Sequence, residues 1–195
     1  MEIRGNLAPH SALGIIEKSP YVQRVIGFLR FIGLLNAAVG FGAAIFLNLA
    51  VVPAVFSRDM ESLLRMEYYP YFSGAILQIL TSCYFLLQIL CAIVALLHLA
   101  AEWLYLGKSP RKLSLGLVIG LLCLGLFGGT WVQPALKRFH TIRYAANTSR
   151  ENRDAARRSF AAWYKMSQGI NFLILGGFGF YFWRQAIPPD PIRFR

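Results

Sequence analysis

Residues 72–101, FSGAILQILTSCYFLLQILCAIVALLHLAA, form an apolar stretch that contains no Asp, Glu, Lys or Arg. A helix rises about 1.5 Å per residue, so this stretch exceeds the roughly 20 residues that cross the hydrocarbon layer of a bilayer. Three more uncharged stretches, each at least 18 residues long, occupy 31–52, 113–136 and 166–183. The pattern predicts an all-α, polytopic membrane protein, a bundle of four transmembrane helices with spans at about 31–52, 72–102, 113–136 and 166–183.

The composition of the whole chain agrees with this fold class. Of 195 residues, 56% are hydrophobic and only 15% are charged, whereas a soluble domain carries about 25% charged residues. Soluble, disordered and disulfide-scaffold classes are therefore excluded. The three cysteines, Cys83, Cys91 and Cys123, lie inside predicted spans and lack the spacing of a zinc site or a disulfide framework.

The net charge of +11 lies in the segments that flank the spans. Because cytoplasmic loops carry the excess of Lys and Arg, these residues normally indicate orientation. Here they divide evenly between the two sides and indicate none. The most basic loop, between the third and fourth spans, is expected to contact anionic lipid headgroups rather than nucleic acid. We expect an integral, multi-pass protein, in the cytoplasmic membrane if the source is bacterial.

Three regions follow from the positions of the spans. Residues 1–24 are predicted to be an N-terminal surface segment, 25–184 a four-span membrane domain and 185–195 a C-terminal tail. The loop after the first span is expected to contain a short interfacial helix capped by Ser57, with a Glu61 to Arg65 ion pair along one face.

The chain contains a weak internal repeat. The first span ends in VVPAV (51–55) and the third in VQPAL (132–136), so Pro53 and Pro134 occupy equivalent helix exits. Tyr71 and Tyr164 stand where the second and fourth helices enter. The repeat predicts two helical hairpins of the same topology.

Polar side chains inside the spans mark the positions with the best claim to function, because a polar group in hydrocarbon must find a partner. Six of them are expected to lie near one end of the helices and to form a polar vestibule for a solute or a lipid headgroup. The alternative is that they only form hydrogen bonds between helices. The six are Asn48, Gln78, Thr81, Gln133, Ser167 and Asn171.

A second polar cluster is predicted towards the opposite end. His98 and Glu102 are four residues apart on one helical face, and Asn36 or Arg30 could approach them. His98 is the only histidine in a predicted span, so ligation of haem by two histidines is not expected. The sequence predicts no catalytic residue, no metal ligand and no cofactor.

At the helix exits and entrances the chain resembles the transmembrane protein 205-like family, which consists of small four-span proteins built around a domain of unknown function. The similarity covers roughly residues 27–183. It departs from the family at Tyr164, where members often carry a histidine, and it implies a membrane fold without an established reaction, cofactor or substrate. The matching positions are Val52, Pro53 and Phe56; Tyr69, Pro70, Tyr71 and Phe72; Gln133 and Pro134; and Phe160, Ser167 and Asn171.

Two function hypotheses follow. The first is a non-enzymatic packing or interaction protein, such as an accessory subunit of a membrane complex or a homo-oligomer, favoured by glycine-rich helices and the lack of reactive groups. The second is a transporter or pore for a small solute or lipid, acting as an oligomer through the polar vestibule.

Overall fold

The computed structural model describes residues 20–106 and 112–187, and every regular element within them is helical. Most of the predicted surface segment (1–24), most of the tail (185–195) and the loop at 107–111 lie outside the described residues. The helices extend beyond the predicted spans. In chain order they are α1 (Pro20–Phe46), a π-helical turn (Leu47–Val51), α2 (Val52–Val55), α3 (Arg58–Leu106), α4 (Lys112–Phe127), a second π-helical turn (Gly128–Val132), α5 (Gln133–Tyr144) and α6 (Arg150–Ala186).

Three helical segments are long and apolar enough to cross a membrane: Gly27–Val55, Arg58–Tyr105 and Lys112–Tyr144. The fourth predicted span lies in α6, which is not among them. The first half of α6 is rich in charge, and Gln168 and Asn171 lower the hydropathy of its second half.

Lateral packing of the long helices builds one apolar core. Helix α1 packs against α3 and α6, α4 against α3 and α6, and α5 against α3 and α6. Phe85, Val118 and Phe178 fill the centre and are almost completely buried. Many outward side chains are also apolar, and Leu97 and Phe172 are 64% and 62% exposed. An apolar surface around an apolar core is what a bilayer environment requires.

Helix α3 bends near its start at Arg65, the one residue other than glycine with a positive φ in the described chain (φ 56°, ψ 139°). Residues 58–64 therefore form the short helix that the sequence predicts. Ser57 caps it, since its Oγ accepts a hydrogen bond from the Met60 amide at 3.2 Å. The predicted ion pair between Glu61 and Arg65 does not form within 4.0 Å, because Arg65 has left the helical conformation.

The two π-helical turns stand at equivalent places, and each ends two residues before a proline, Pro53 or Pro134. A proline ring collides with the carbonyl four residues earlier and donates no hydrogen bond, so the backbone widens there by one residue. The local similarity of the two helix exits is thus visible in hydrogen bonding. The amide before each proline donates to the carbonyl five residues earlier, Val52 to Leu47 and Gln133 to Gly128.

Candidate functional site: a polar cavity among the helices

A cavity of about 490 Å³ lies among α2, α3, α5 and α6, at the end of the molecule where α3 begins and α5 ends. Pockets that hold small organic molecules range from about 300 to 1,000 Å³. The cavity is therefore large enough for a ligand. It is lined by Leu47, Val52, Phe56, Tyr69, Pro70, Ser73, Gly74, Leu77, Gln78, Thr81, Gln133, Leu136, His140, Arg143, Tyr144, Phe160, Tyr164, Ser167, Gln168 and Asn171.

Each helix turns one face towards this cavity. On α5 the lining residues Gln133, Leu136, His140 and Arg143 recur every three or four positions, which places them on one side of the helix. The lining residues of α3 and α6 follow the same spacing. The cavity thus runs along the helices rather than across them.

The cavity has an inner and an outer end. Gln133 and Asn171 mark the inner end, where they are 7% and 3% exposed. Arg143 and Tyr144 mark the outer end, and the Tyr144 hydroxyl donates a hydrogen bond to the carbonyl of Pro70 at 3.0 Å, which ties α5 to α3. Ten residues of α5 separate Gln133 from Arg143, so the two ends are about 15 Å apart.

Five of the six predicted vestibule residues line this cavity, and the sixth, Asn48, stands behind one of them. The Asn171 Nδ2 donates to the Asn48 Oδ1 at 3.5 Å, and the Asn48 Nδ2 donates to the carbonyl of Ala44 at 2.8 Å. The structure brings the predicted group together, and its role in binding stays a prediction. The five lining residues are Gln78, Thr81, Gln133, Ser167 and Asn171.

Four buried polar atoms around the cavity have no hydrogen-bond partner within the protein. More than about 90% of buried polar groups in proteins are paired, and leaving one unpaired costs about 1–3 kcal/mol. Four of the eight such atoms in the described chain belong to residues that line this one space, so unpaired polar groups are concentrated here. They are the Gln78 Nε2, the Gln133 Nε2, the His140 Nε2 and the Asn171 Oδ1.

Amides elsewhere in the described chain form the inter-helix hydrogen bonds of the alternative interpretation. The Gln88 Nε2 donates to the carbonyl of Gly40 at 3.0 Å, and the Asn36 Nδ2 donates to the carbonyl of Cys91 at 2.8 Å. Both bonds join α1 to α3. The NH₂ groups of Gln78 and Gln133 form no such bond, whereas Asn171 both lines the cavity and bonds to Asn48.

His140 is held in the cavity wall by aromatic neighbours. Its ring centroid lies 5.2 Å from that of Tyr71 and 5.0 Å from that of Tyr144. Gly74 faces it from α3, where a Cβ atom would come within 2.7 Å of the Nε2. Only glycine at position 74 leaves room for the imidazole.

The charge of the cavity is one-sided. Arg143 lines it, and no Asp or Glu is among the described residues that do. The guanidinium carbon of Arg143 lies 5.0 Å from the centre of the Tyr144 ring, which orients it at the outer end.

The second predicted cluster forms in part. The His98 Nε2 lies 2.9 Å from the carbonyl oxygen of Leu29 and 3.8 Å from the Glu102 Oε1, while the Nδ1 is buried without a partner. Asn36 does not join it, because its amide is bound to Cys91. In residues 20–106 and 112–187, no three His, Cys, Asp or Glu residues come together as metal ligands.

Sequence reasoning missed His140, Arg143 and Tyr144 as cavity residues, because the predicted third span stopped where Lys137 begins a charged segment. Helix α5 continues to Tyr144. The helical spacing of Gln133, Leu136, His140 and Arg143 was the signal that could have identified them.

The structure places the four predicted helix exits and entrances around the same region. Pro53 and Pro134 follow the π-helical turns, Tyr71 packs on His140, and Tyr164 lines the cavity.

Comparison with known proteins adds one match. The family model described as "Domain of unknown function (DUF4149)" matches residues 35–145, which run from the middle of α1 through α5. No curated protein and no solved structure matches the chain. The comparison supports the domain of unknown function within the resemblance described above and gives no support to the narrower transmembrane protein 205-like name.

Proposed function

The chain belongs to the family of the domain of unknown function DUF4149, whose model covers more than half of it, and we propose that it binds a small ligand inside the membrane. The ligand is a solute or a lipid, held in the polar cavity, and its passage through the cavity would make the protein a transporter or pore. The proposal includes no catalysis and no cofactor.

The proposal places four spans in the membrane, with α6 as the fourth. It extends to a multi-pass location, in the cytoplasmic membrane if the source is bacterial, and to the transmembrane protein 205-like subgroup. The chemistry of α6 supports four spans, because the amides that lower its hydropathy face the cavity instead of lipid. Asn171 is 3% exposed and lines that space.

The observation that carries the proposal is the set of four unpartnered polar atoms around one cavity. If Gln78 and Gln133 served only to hold helices together, their donors would be used within the protein, as that of Gln88 is. Water or ligand is the remaining partner.

A pair of matched substitutions tests this difference. Gln133→Leu removes an unpaired buried donor at nearly constant volume, so we expect the thermal unfolding midpoint to stay the same or rise. Gln88→Leu removes a bond between helices and is expected to lower the free energy of unfolding by about 0.5–1.5 kcal/mol. An equal loss of stability in both variants would show that Gln133 is structural.

Native mass spectrometry of the full chain from mild detergent supplies the binding readout. We expect a small-molecule adduct on the wild type and on Gln88→Leu, and its loss from Gln133→Leu. A wild-type spectrum without any adduct, including after incubation with lipid extract, would contradict the proposal.

An interaction protein or accessory subunit is the second candidate, and it is favoured by the outer face of α4. Gly116 and Gly120 form a GxxxG pair on which an added Cβ would meet nothing within 4 Å in the described chain. Membrane helices associate through such small residues. Gly116→Leu is expected to convert a homo-oligomer in detergent to monomer; an unchanged mass of the complex would leave α4 without this role.

Contact with anionic lipid headgroups is the remaining part of the proposal. Arg150, Arg153, Arg157 and Arg158 are exposed on the first half of α6, and each basic residue near an anionic surface contributes about 1 kcal/mol. We propose that this segment lies at the membrane surface and does not bind nucleic acid.

A further inference from the structure

We propose that the cavity ligand is a single-chain anionic amphiphile whose acidic group lies at Arg143 and whose far end carries an uncharged hydrogen-bonding group. This inference rests on the proposed function and names the class of molecule that the cavity takes.

The sign of the charge follows from the residues of the lining. An amide side chain can present either its oxygen or its NH₂ group, so Gln78 and Gln133 do not select a charge. Arg143 does select one, because its guanidinium is always protonated and no carboxylate in the described lining neutralises it. The His140 Nε2 lies on the same face of α5, one turn deeper, and has no partner in the protein. Since the His140 Nε2 is covered by Gly74, Arg143 is the side chain that selects a carboxylate or a phosphate monoester at this end of the cavity.

The shape follows from the faces of the helices. Between its two ends the cavity is walled largely by apolar side chains such as Leu77, Leu136 and Phe160. This middle section suits methylene groups, and a volume of about 490 Å³ admits a single chain. Since an extended alkyl chain advances about 1.25 Å per C–C bond, a chain of about twelve carbons with its two polar end groups covers the separation of about 15 Å between Arg143 and Gln133.

The inner end adds a second requirement. The Gln78 Nε2, the Gln133 Nε2 and the Asn171 Oδ1 are all buried and unpaired there. A methyl terminus would leave them unpaired, whereas a hydroxyl both donates and accepts. A chain with a terminal hydroxyl group therefore matches both ends of the cavity.

The position of the outer end fits entry from the membrane surface. Tyr69, Tyr144 and Tyr164 line it, and aromatic side chains of this kind lie at the level of the lipid headgroups. The acidic group of an amphiphile in a bilayer lies at the same level, so the molecule can enter with its head at Arg143 and its chain along the helices.

A competition series with the full chain in neutral maltoside detergent tests the inference. Radiolabelled dodecanoate is bound to the immobilised protein and displaced by unlabelled dodecanoate, 12-hydroxydodecanoate or 1-dodecanol. We expect dodecanoate to compete about tenfold better than the neutral alcohol, because a charge-assisted hydrogen bond is lost with the charge, and 12-hydroxydodecanoate to compete about fivefold better than dodecanoate.

Two matched pairs of variants assign the preferences to their residues. Arg143→Gln is expected to abolish the preference for the acid, while Arg138→Gln, exposed on the same helix, preserves it. Gln133→Leu is expected to abolish the preference for the hydroxyl, while Thr130→Val, one turn away and exposed, preserves it.

The wild-type series alone is sufficient to overturn the inference. Equal competition by acid and alcohol would show a cavity that binds chains without regard to charge, which refutes the ligand class and keeps the proposed function. Absence of specific binding by every probe also refutes the ligand class, and the proposed function is then judged separately by its native mass spectrum.

Discussion

Gly128 shows at the scale of one residue how closely these helices approach. An added Cβ would collide with the ring of Phe85, which is completely buried. We expect Gly128→Ala to lower the free energy of unfolding by about 1–3 kcal/mol, the usual cost of overpacking a core. The thermal unfolding midpoint in detergent measures this.

Gly116→Ala is the control for that prediction, because an added Cβ at position 116 meets nothing within 4 Å. It is expected to leave the midpoint unchanged or to raise it slightly, since alanine favours the helix. Equal effects of both substitutions would contradict the contact between Gly128 and Phe85.

Arg65 offers a second prediction at this scale. Its backbone has φ 56° and ψ 139°, a region that side chains with a Cβ rarely adopt and that costs about 1–3 kcal/mol. Arg65→Gly should therefore stabilise the chain, whereas Arg65→Ala should not, because alanine keeps the Cβ. Thermal unfolding of both variants distinguishes relief of the backbone from loss of the charge.

Individual cavity residues were predictable where the chemistry of the bilayer selects them. An amide such as Gln78 or Asn171 in an otherwise apolar helix has to face the protein interior, so its neighbourhood follows from helical spacing. His140 and Arg143 were not predictable by this argument, because they follow charged residues that also suit a loop. Whether they lie in a wall or in water depends on how far α5 extends, which hydropathy does not report.

At the scale of elements, the two π-helical turns decide which faces meet the cavity. A π-helical turn contains one residue more than the α-helical turn that it replaces, so it rotates the rest of the helix by about 100°. Gln133 follows such a turn directly. The orientation of the α5 face with Gln133, His140 and Arg143 therefore depends on it.

Single-residue deletions test this register. Deletion of Trp131, which is 67% exposed, removes the extra residue, and Pro134→Ala restores the missing amide. The resulting continuous α-helix keeps the spacing within α4 and within α5. Because the deletion removes the extra residue together with the wide turn, the lining face of α5 keeps its orientation, so we expect the protein to remain monodisperse in size-exclusion chromatography and to keep its small-molecule adduct.

Deletion of Ile119 in the same Pro134→Ala background is the matched control. Ile119 is also exposed, at 44%, but it lies within the regular α4, where a deletion rotates the buried Leu121 out of the core. That variant is expected to aggregate. If both deletions aggregate alike, Gly128–Val132 does not hold a removable residue.

The sequence indicated equivalent prolines at both exits, but not the widened turns, because hydropathy does not report hydrogen bonding.

At the scale of the whole molecule, the proposal of four spans depends on the packing of α6. Helix α6 packs along α1, α4 and α5, and its buried residues include Ile174 and Phe178. The proposal of four spans takes α6 to run through the same layer as the three helices against which it packs. Length and mean hydropathy do not select α6, because they count Gln168 and Asn171 as if these residues faced lipid.

Accessibility of single cysteines from the two sides of the membrane tests the four spans directly. The three native cysteines are first replaced by alanine, and Ser109→Cys, Ser149→Cys and Asp190→Cys are then made one at a time. Four spans place Ser109 and Asp190 on one side and Ser149 on the other, because an odd number of crossings separates Ser149 from each of them. An impermeant maleimide applied to sealed vesicles and to lysed vesicles gives the side for each position. Labelling of Asp190→Cys on the same side as Ser149→Cys would show that α6 turns back without crossing. Labelling of every position from both sides would show that the protein inserts in two orientations. The even division of Lys and Arg between the two sides permits such dual insertion.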